Sequence, residues 1–328
     1  MQSDARGFLE ALIDDGRPLV SLVGICLGLS GAFAIFQSST GQFLPHDTAF
    51  LQMQPQDLCN INECRIVHFM FHDRVSFGGS LIAIAIVYLW LAEFPLKAGE
   101  AWAWWTYLIS GVVGFGSFLT YLGYGYLDTW HGVATVALLP CFLGGLWQSR
   151  RRLLAKAASS GADASWRSLL SPGDTSPWLS RAGLGRLCLL LAATGMIGAG
   201  FSIQTIGMTQ VFVETDLKFM GLDREQLESI NSRLIPLIAH DRAGFGGGIA
   251  TAGILLFACV WCAAPSRSLW QGMLIGGIAG WGAGVGIHPI IGYNDTGHLA
   301  PAVLGATLFF VGLALTRSSM YGRAHADL

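Results

Sequence analysis

Four histidines stand in a pattern that the chain states twice. His72-Asp73-Arg74-Val75-Ser76-Phe77-Gly78-Gly79 returns 168 positions later as His240-Asp241-Arg242-Ala243-Gly244-Phe245-Gly246-Gly247. A second motif follows each copy: Asp128-Thr129-Trp130-His131 in the first half, and Asp295-Thr296-Gly297-His298, 167 positions on, in the second. Ionisable residues repeated at the edges of apolar segments are candidates for function. Imidazole is the commonest ligand for transition metals and an axial ligand of haem iron. Two histidines on different helices at one depth can grip a planar macrocycle, so each half is expected to offer a pair, His72 with His131 and His240 with His298. Helix capping by Asp73, Asp241, Asp128 and Asp295, with Arg74 and Arg242 reaching to headgroups, would account for the other residues but does not call for histidine.

The surroundings suit haem b. Gly78, Gly79 and Gly246 to Gly248 allow close approach to a flat ligand, or serve helix packing. Phe77 and Phe245 can stack on a ring. Arg74 and Arg242 can pair with propionates, and Asp128 and Asp295, one turn before their histidines, can orient an imidazole as acceptors. The same histidines and aspartates also suit non-haem iron, manganese or zinc, which accept mixed imidazole and carboxylate ligation. A proton or ion relay in a transporter is a third use, although no charge stands mid-membrane.

The elements that must position these groups are membrane helices. Only 12% of residues are charged, about half the soluble average, and mean hydropathy is +0.52. Eight spans are expected, at 18–36, 70–93, 102–122, 129–148, 185–206, 236–264, 269–288 and 297–316. Four per half implies an all-α integral membrane protein of two tandem four-helix bundles related by a pseudo-two-fold axis. The divisions are a first repeat at 1–148, a linker at 149–183 and a second repeat at 184–328. Residues 1–17 lack a signal-peptide layout, so the first span is expected to stay. Thirteen of 19 Lys and Arg fall on the side of the termini and the linker, which makes both termini cytoplasmic and the motifs extracytoplasmic, in what is expected to be a bacterial inner membrane.

Long outer loops at 37–69 and 207–235 also match, with Asp47 against Asp216 and Asn62 against Asn231, and each is expected to lid its own half. Residues 222–234 read as a short interfacial helix. Cys59 and Cys64 of the first loop are candidates for a disulfide, whereas Cys259 and Cys262 read as small apolar residues within a span. The Ala/Ser/Gly-rich linker, with Pro172 and Pro177, reads as a cytoplasmic tether.

The layout resembles heme A synthase: eight spans, two four-helix units, histidines on even-numbered helices near the outer face and a cysteine pair in the first outer loop. Phe69 and Leu237 stand where that family typically carries a glutamate three residues before the histidine. The resemblance implies His72, His131, His240 and His298 as axial ligands of b-type haem. The expected function is therefore a haem b-binding membrane oxidoreductase or electron-transfer protein with a membrane-soluble partner such as quinone. The alternatives are a non-haem metal enzyme, a transporter, or a structural subunit bound to other membrane subunits. Nothing points to nucleic acid.

Overall fold

The computed structural model describes residues 13–120, 125, 126 and 128–322. Among these the chain forms twelve α-helices and no strand. They are α1 (Arg17–Ser39), α2 (Pro45–Leu51), α3 (Pro55–Asn62), α4 (Arg65–Leu91), α5 (Ala101–Thr120) and α6 (Thr129–Ser160) in the first half. In the second half they are α7 (Arg181–Met208), α8 (Glu214–Met220), α9 (Arg224–Ile230), α10 (Leu234–Cys262), α11 (Arg267–Ile291) and α12 (Thr296–Gly322). Seven of them, α1, α4, α6, α7, α10, α11 and α12, are long and apolar enough to cross a membrane. The count falls one short of the expected eight at α5, where Trp102, Trp104, Trp105 and Tyr107 lower the hydropathy of an otherwise uncharged helix.

Two central helices, α4 and α10, pack against each other and are the most enclosed. Around them the halves do not form separate tandem bundles. The third helix of the first half, α5, packs chiefly on α10, and its counterpart α11 packs on α4. The pairs α1 with α4 and α6, and α7 with α10 and α12, stay within their own half, and the third helices keep lesser contacts with their own fourth helices, α5 with α6 and α11 with α12. The expectation of two self-contained bundles is corrected accordingly: the third helices are exchanged.

Glycine makes this exchange sterically possible. Gly79 of α4 lies against Ala279 and Ala283 of α11, and Gly247 of α10 against Ser117 of α5, so tightly that a Cβ at either glycine would clash. Within each half, Gly78 meets Gly31 backbone to backbone, and Gly246 meets Gly200. The glycines after the histidines therefore serve helix packing, as small residues do where apolar solvent gives helices little drive to associate. They are not free to receive a macrocycle.

The two outer loops do not lid separate halves. Their helices α2, α3, α8 and α9 share one apolar cluster with the starts of α4 and α10, including Leu51, Leu58, Met220 and Leu227. The matched asparagines tie it reciprocally: Asn62 Nδ2 donates to Met220 O at 3.2 Å and Asn231 Nδ2 to Leu51 O at 2.7 Å. The interfacial helix read at 222–234 is α9, capped by Asp223, whose Oδ1 accepts from Gln226 N at 2.8 Å. Cys59 and Cys64 are disulfide-bonded at the end of α3.

At the opposite end α6 runs on to Ser160, and the linker is docked rather than loose. Gly173 N donates to Trp261 O at 2.9 Å, and the Arg186 guanidinium sits 4.8 Å from the rings of both Trp178 and Trp261. Cys259 and Cys262 are buried there.

If backbone contact between α7 and α10 sets the register, Gly246→Val should lower stability by about 2 kcal/mol, the usual cost of overpacking. Gly282→Val, at a position open on all sides, carries the same loss of helix flexibility and should stay near wild type in a detergent thermal melt.

Candidate metal centres

Because the third helices trade partners, the histidines pair across the halves. His72 does not meet His131, nor His240 His298. Near His72 of α4 stand His288 of α11 and His298 of α12, with one ligand atom of each within 4.8 Å of the others. A second group joins His240 of α10 to Asp128 and His131 at the start of α6, within the same limit.

In the first centre, His72 Nε2 lies 3.1 Å from His288 Nε2. Its other nitrogen, Nδ1, lies 3.0 Å from Asp73 Oδ1. A carboxylate there holds the proton on Nδ1 and leaves Nε2 as a lone pair. His298 Nδ1 sits 3.2 Å from the Tyr293 hydroxyl, which itself donates to Asp216 Oδ1 at 2.8 Å. Since that hydroxyl's proton is committed to Asp216, it accepts from His298, whose Nε2 is also left as a lone pair. Partners of this kind on the far nitrogen fix tautomer and ring orientation in metal-ligating histidines.

The second centre is built differently. His131 Nδ1 lies 2.9 Å from His240 Nε2, and Asp128 Oδ2 is 3.2 Å from the former and 3.6 Å from the latter. Asp128 also caps α6, accepting from Trp130 N at 2.8 Å and His131 N at 3.1 Å. His46 of α2 places Nε2 3.2 Å from Asp128 Oδ1.

Two more carboxylates, Asp47 and Asp241, and both motif arginines join the centres. Arg74 Nε donates to Asp241 Oδ2 at 2.8 Å and Nη1 to Asp47 Oδ2 at 2.7 Å. Arg242 repeats the arrangement, with Nε to Asp73 Oδ2 at 3.3 Å, and Nη1 to Asp216 Oδ2 at 2.6 Å and to Val211 O at 2.8 Å. Tyr126 donates to Asp47 Oδ1 at 2.5 Å, as Tyr293 does to Asp216.

Several sequence expectations change. Asp73 and Asp241 are no caps, because α4 begins eight residues before the one and α10 seven before the other; they are counter-ions of the opposite arginine. Arg74 and Arg242 have no guanidinium to spare for propionates. Asp295 caps α12, accepting from His298 N at 2.8 Å, but is exposed, and Tyr293 takes the orienting place expected of it. Phe245 sets its ring edge-on to His72 at 6.1 Å, as Phe77 does to His131 at 6.3 Å; neither lies parallel to a ligand plane. The residues present do not fit haem b held between His72 and His131 or between His240 and His298, since the members of each pair face other partners. Nor can a macrocycle stand between imidazole nitrogens 3.1 Å or 2.9 Å apart.

His46 and His288 were not found by the duplication, because the opposite half has no histidine at the matching place. Asp47, Asp216, Tyr126 and Tyr293 do repeat, and their matched spacing was the available signal.

Removing the Arg242 guanidinium with Arg242→Met should cost about 3–5 kcal/mol, because it strands two buried carboxylates; adding Asp216→Asn should recover part of that loss in the same melt. Asp47 supplies a pH signature. Burial alone would raise its carboxyl pKa, but Arg74, with Tyr126, outweighs burial and holds it below the ordinary value. A depressed folded pKa contributes stability above the unfolded value of about 4 that is lost as pH falls through the folded one. Wild type should therefore lose stability below about pH 4, and Asp47→Asn should be less stable at pH 7 with a shallower acid decline. An acid limb as steep in the variant as in wild type would place the loss elsewhere.

No family model, curated protein or solved structure matches the chain, so what these two clusters do follows from their own geometry.

Proposed function

We propose that the chain is a membrane metalloprotein with two non-haem centres, acting on a membrane-soluble substrate in electron transfer or oxidation. One observation carries this reading: three buried or half-buried imidazoles, His72, His288 and His298, bring ligand atoms within 4.8 Å of one another. In two of them the far nitrogen is already held by Asp73 or Tyr293. Metal–nitrogen bonds of about 2 Å fit such a cluster round a single ion. Lone pairs facing each other at 3.1 Å repel unless a proton or a cation lies between them.

The donor sets differ in chemistry. Three imidazoles suit zinc or copper as well as iron, while two histidines and a carboxylate form the facial set that non-haem iron accepts. Iron, manganese and zinc remain the candidates for either centre.

The membrane setting completes the reading. The uncharged α5 is the eighth span, as its 20 residues allow, so each half crosses the membrane four times with the same orientation. The excess of Lys and Arg at the end bearing the linker places that end and both termini in the cytoplasm, with the capped centres outside, in keeping with a bacterial inner membrane.

Elemental analysis of the detergent-purified protein, with a reduced-minus-oxidised visible spectrum of the same sample, tests the proposal. Two equivalents of a transition metal per chain are expected, falling to one in His298→Ala and to one in His131→Ala. A protein free of metal, or one showing a haem α-band, would sink it.

A further inference from the structure

Beside the first centre lies a cavity of about 570 Å³; its counterpart beside the second centre measures about 230 Å³. The larger runs from His72, His288 and His298 to Val87 on α4. Fifteen residues of helix separate His72 from Val87, or about 22 Å along the axis. The space is therefore long as well as large.

Its size comes from one stripe. Gly272, Gly276, Gly280 and Gly284 recur every fourth residue on α11, and all four line the cavity. On the duplicated helix α5 the matching positions, 166 earlier, are Thr106, Ser110, Gly114 and Phe118. The Phe118 ring lies 5.4 Å from His131 in the smaller cavity, where Gly284 leaves open space.

The cavity opens sideways. Helices α7 and α12 touch closely at Gly185 and Gly312, near the linker end. Toward the centre, Leu191 and Ala199 of α7 and Pro301 and Leu304 of α12 line the cavity while remaining exposed. In a membrane this mouth faces lipid.

One buried hydroxyl in its lining lacks a partner. Ser76, one turn below His72 and 1% exposed, lines the cavity, and its Oγ makes no hydrogen bond. The opposite half has Gly244 at that position. A buried hydroxyl left unpaired is costly, and this one faces the space beneath the centre. Arg242, the charged residue lining the cavity, is held by Asp73, Asp216 and Val211 O, so no free side-chain cation attracts a phosphate or carboxylate headgroup.

We propose that this cavity binds an isoprenoid quinone or its quinol. The oxygen-bearing ring sits under the three-histidine centre within reach of Ser76, and the apolar chain lies along the glycine stripe of α11 after entry between α7 and α12. The inference deepens the metal reading and rests on it for the group that meets the ring.

The test is equilibrium binding of decylubiquinone to the purified protein, together with mass spectrometry of its organic extract and metal analysis of each variant. A bound isoprenoid quinone is expected in the extract. Gly284→Phe, which copies the other half into open space, should weaken decylubiquinone at least about tenfold by filling the site. Ser76→Ala should weaken it about three- to tenfold, the worth of one neutral hydrogen bond. Metal content should be unchanged in both. Decylubiquinone binding that ignores both substitutions, or an extract holding only fatty acids or phospholipid with no decylubiquinone bound, overturns the proposal. Metal present without quinone binding overturns this inference alone. Quinone bound in a Gly284→Phe-sensitive manner by a metal-free protein upholds the cavity and overturns the metal reading.

Discussion

Two exchanged ion pairs set the architecture: Arg74 of α4 with Asp241 of α10, and Arg242 of α10 with Asp73 of α4. Charges enclosed by apolar helices are tolerated only when paired and hydrogen-bonded. Both pairs close at one mutual depth of α4 and α10, and that depth brings their neighbours His72 and His240 to the same level. Each arginine also donates from Nη1 to a carboxylate of the cap, Asp47 or Asp216. Each of those carboxylates holds a tyrosine from the turn before α6 or α12. The last link, Tyr293 to His298, carries the constraint into the first centre. The positions of the cap and the ligands are thus consequences of one charge exchange.

The duplication supplies the frame, and divergence within it supplies the chemistry. Where the frame needs close contact both halves keep small residues, as in Gly78 with Gly31 and Gly246 with Gly200. Where the frame is indifferent they part. His288 completes three imidazoles at one centre, while His46 and Asp128 make the other mixed. Ser76 faces Gly244 in the alignment, and Gly284 faces Phe118. Gly284 widens the first cavity where Phe118 narrows the second, and Ser76 gives the first a hydroxyl that Gly244 does not give the second.

How much of this was legible follows from the same division. The histidines, arginines and aspartates of the repeat were readable because a duplicated chain exposes what both copies retain, and the helices were readable from hydropathy. Partnership across the halves was not. Hydropathy places a helix in the membrane but says nothing about which neighbour it touches, and exchanging α5 with α11 preserves every span. Pairing by proximity in sequence therefore joined His72 to His131. His46 and His288 escaped for the opposite reason, since each exists in one copy only. Asp73 resembled a cap because helix starts were placed at the apolar edge, whereas α4 begins at Arg65, where the cap supplies partners for its first turn.

Charge distinguishes the centres further. Around the first, Asp73 and Asp216 face one guanidinium, Arg242, which leaves a single net negative charge beside three imidazoles. Around the second, Asp128, Asp47 and Asp241 face Arg74, leaving two. At the second centre His46 adds a further group: burial would lower its pKa, but Asp128 and Asp47 outweigh burial and raise it, favouring the charged form. The three-histidine centre is the one whose long cavity opens to lipid and whose lining includes the buried Ser76 hydroxyl. Donor set and cavity shape thus diverge together: three imidazoles stand over the longer cavity, and a carboxylate joins two imidazoles beside the narrower one.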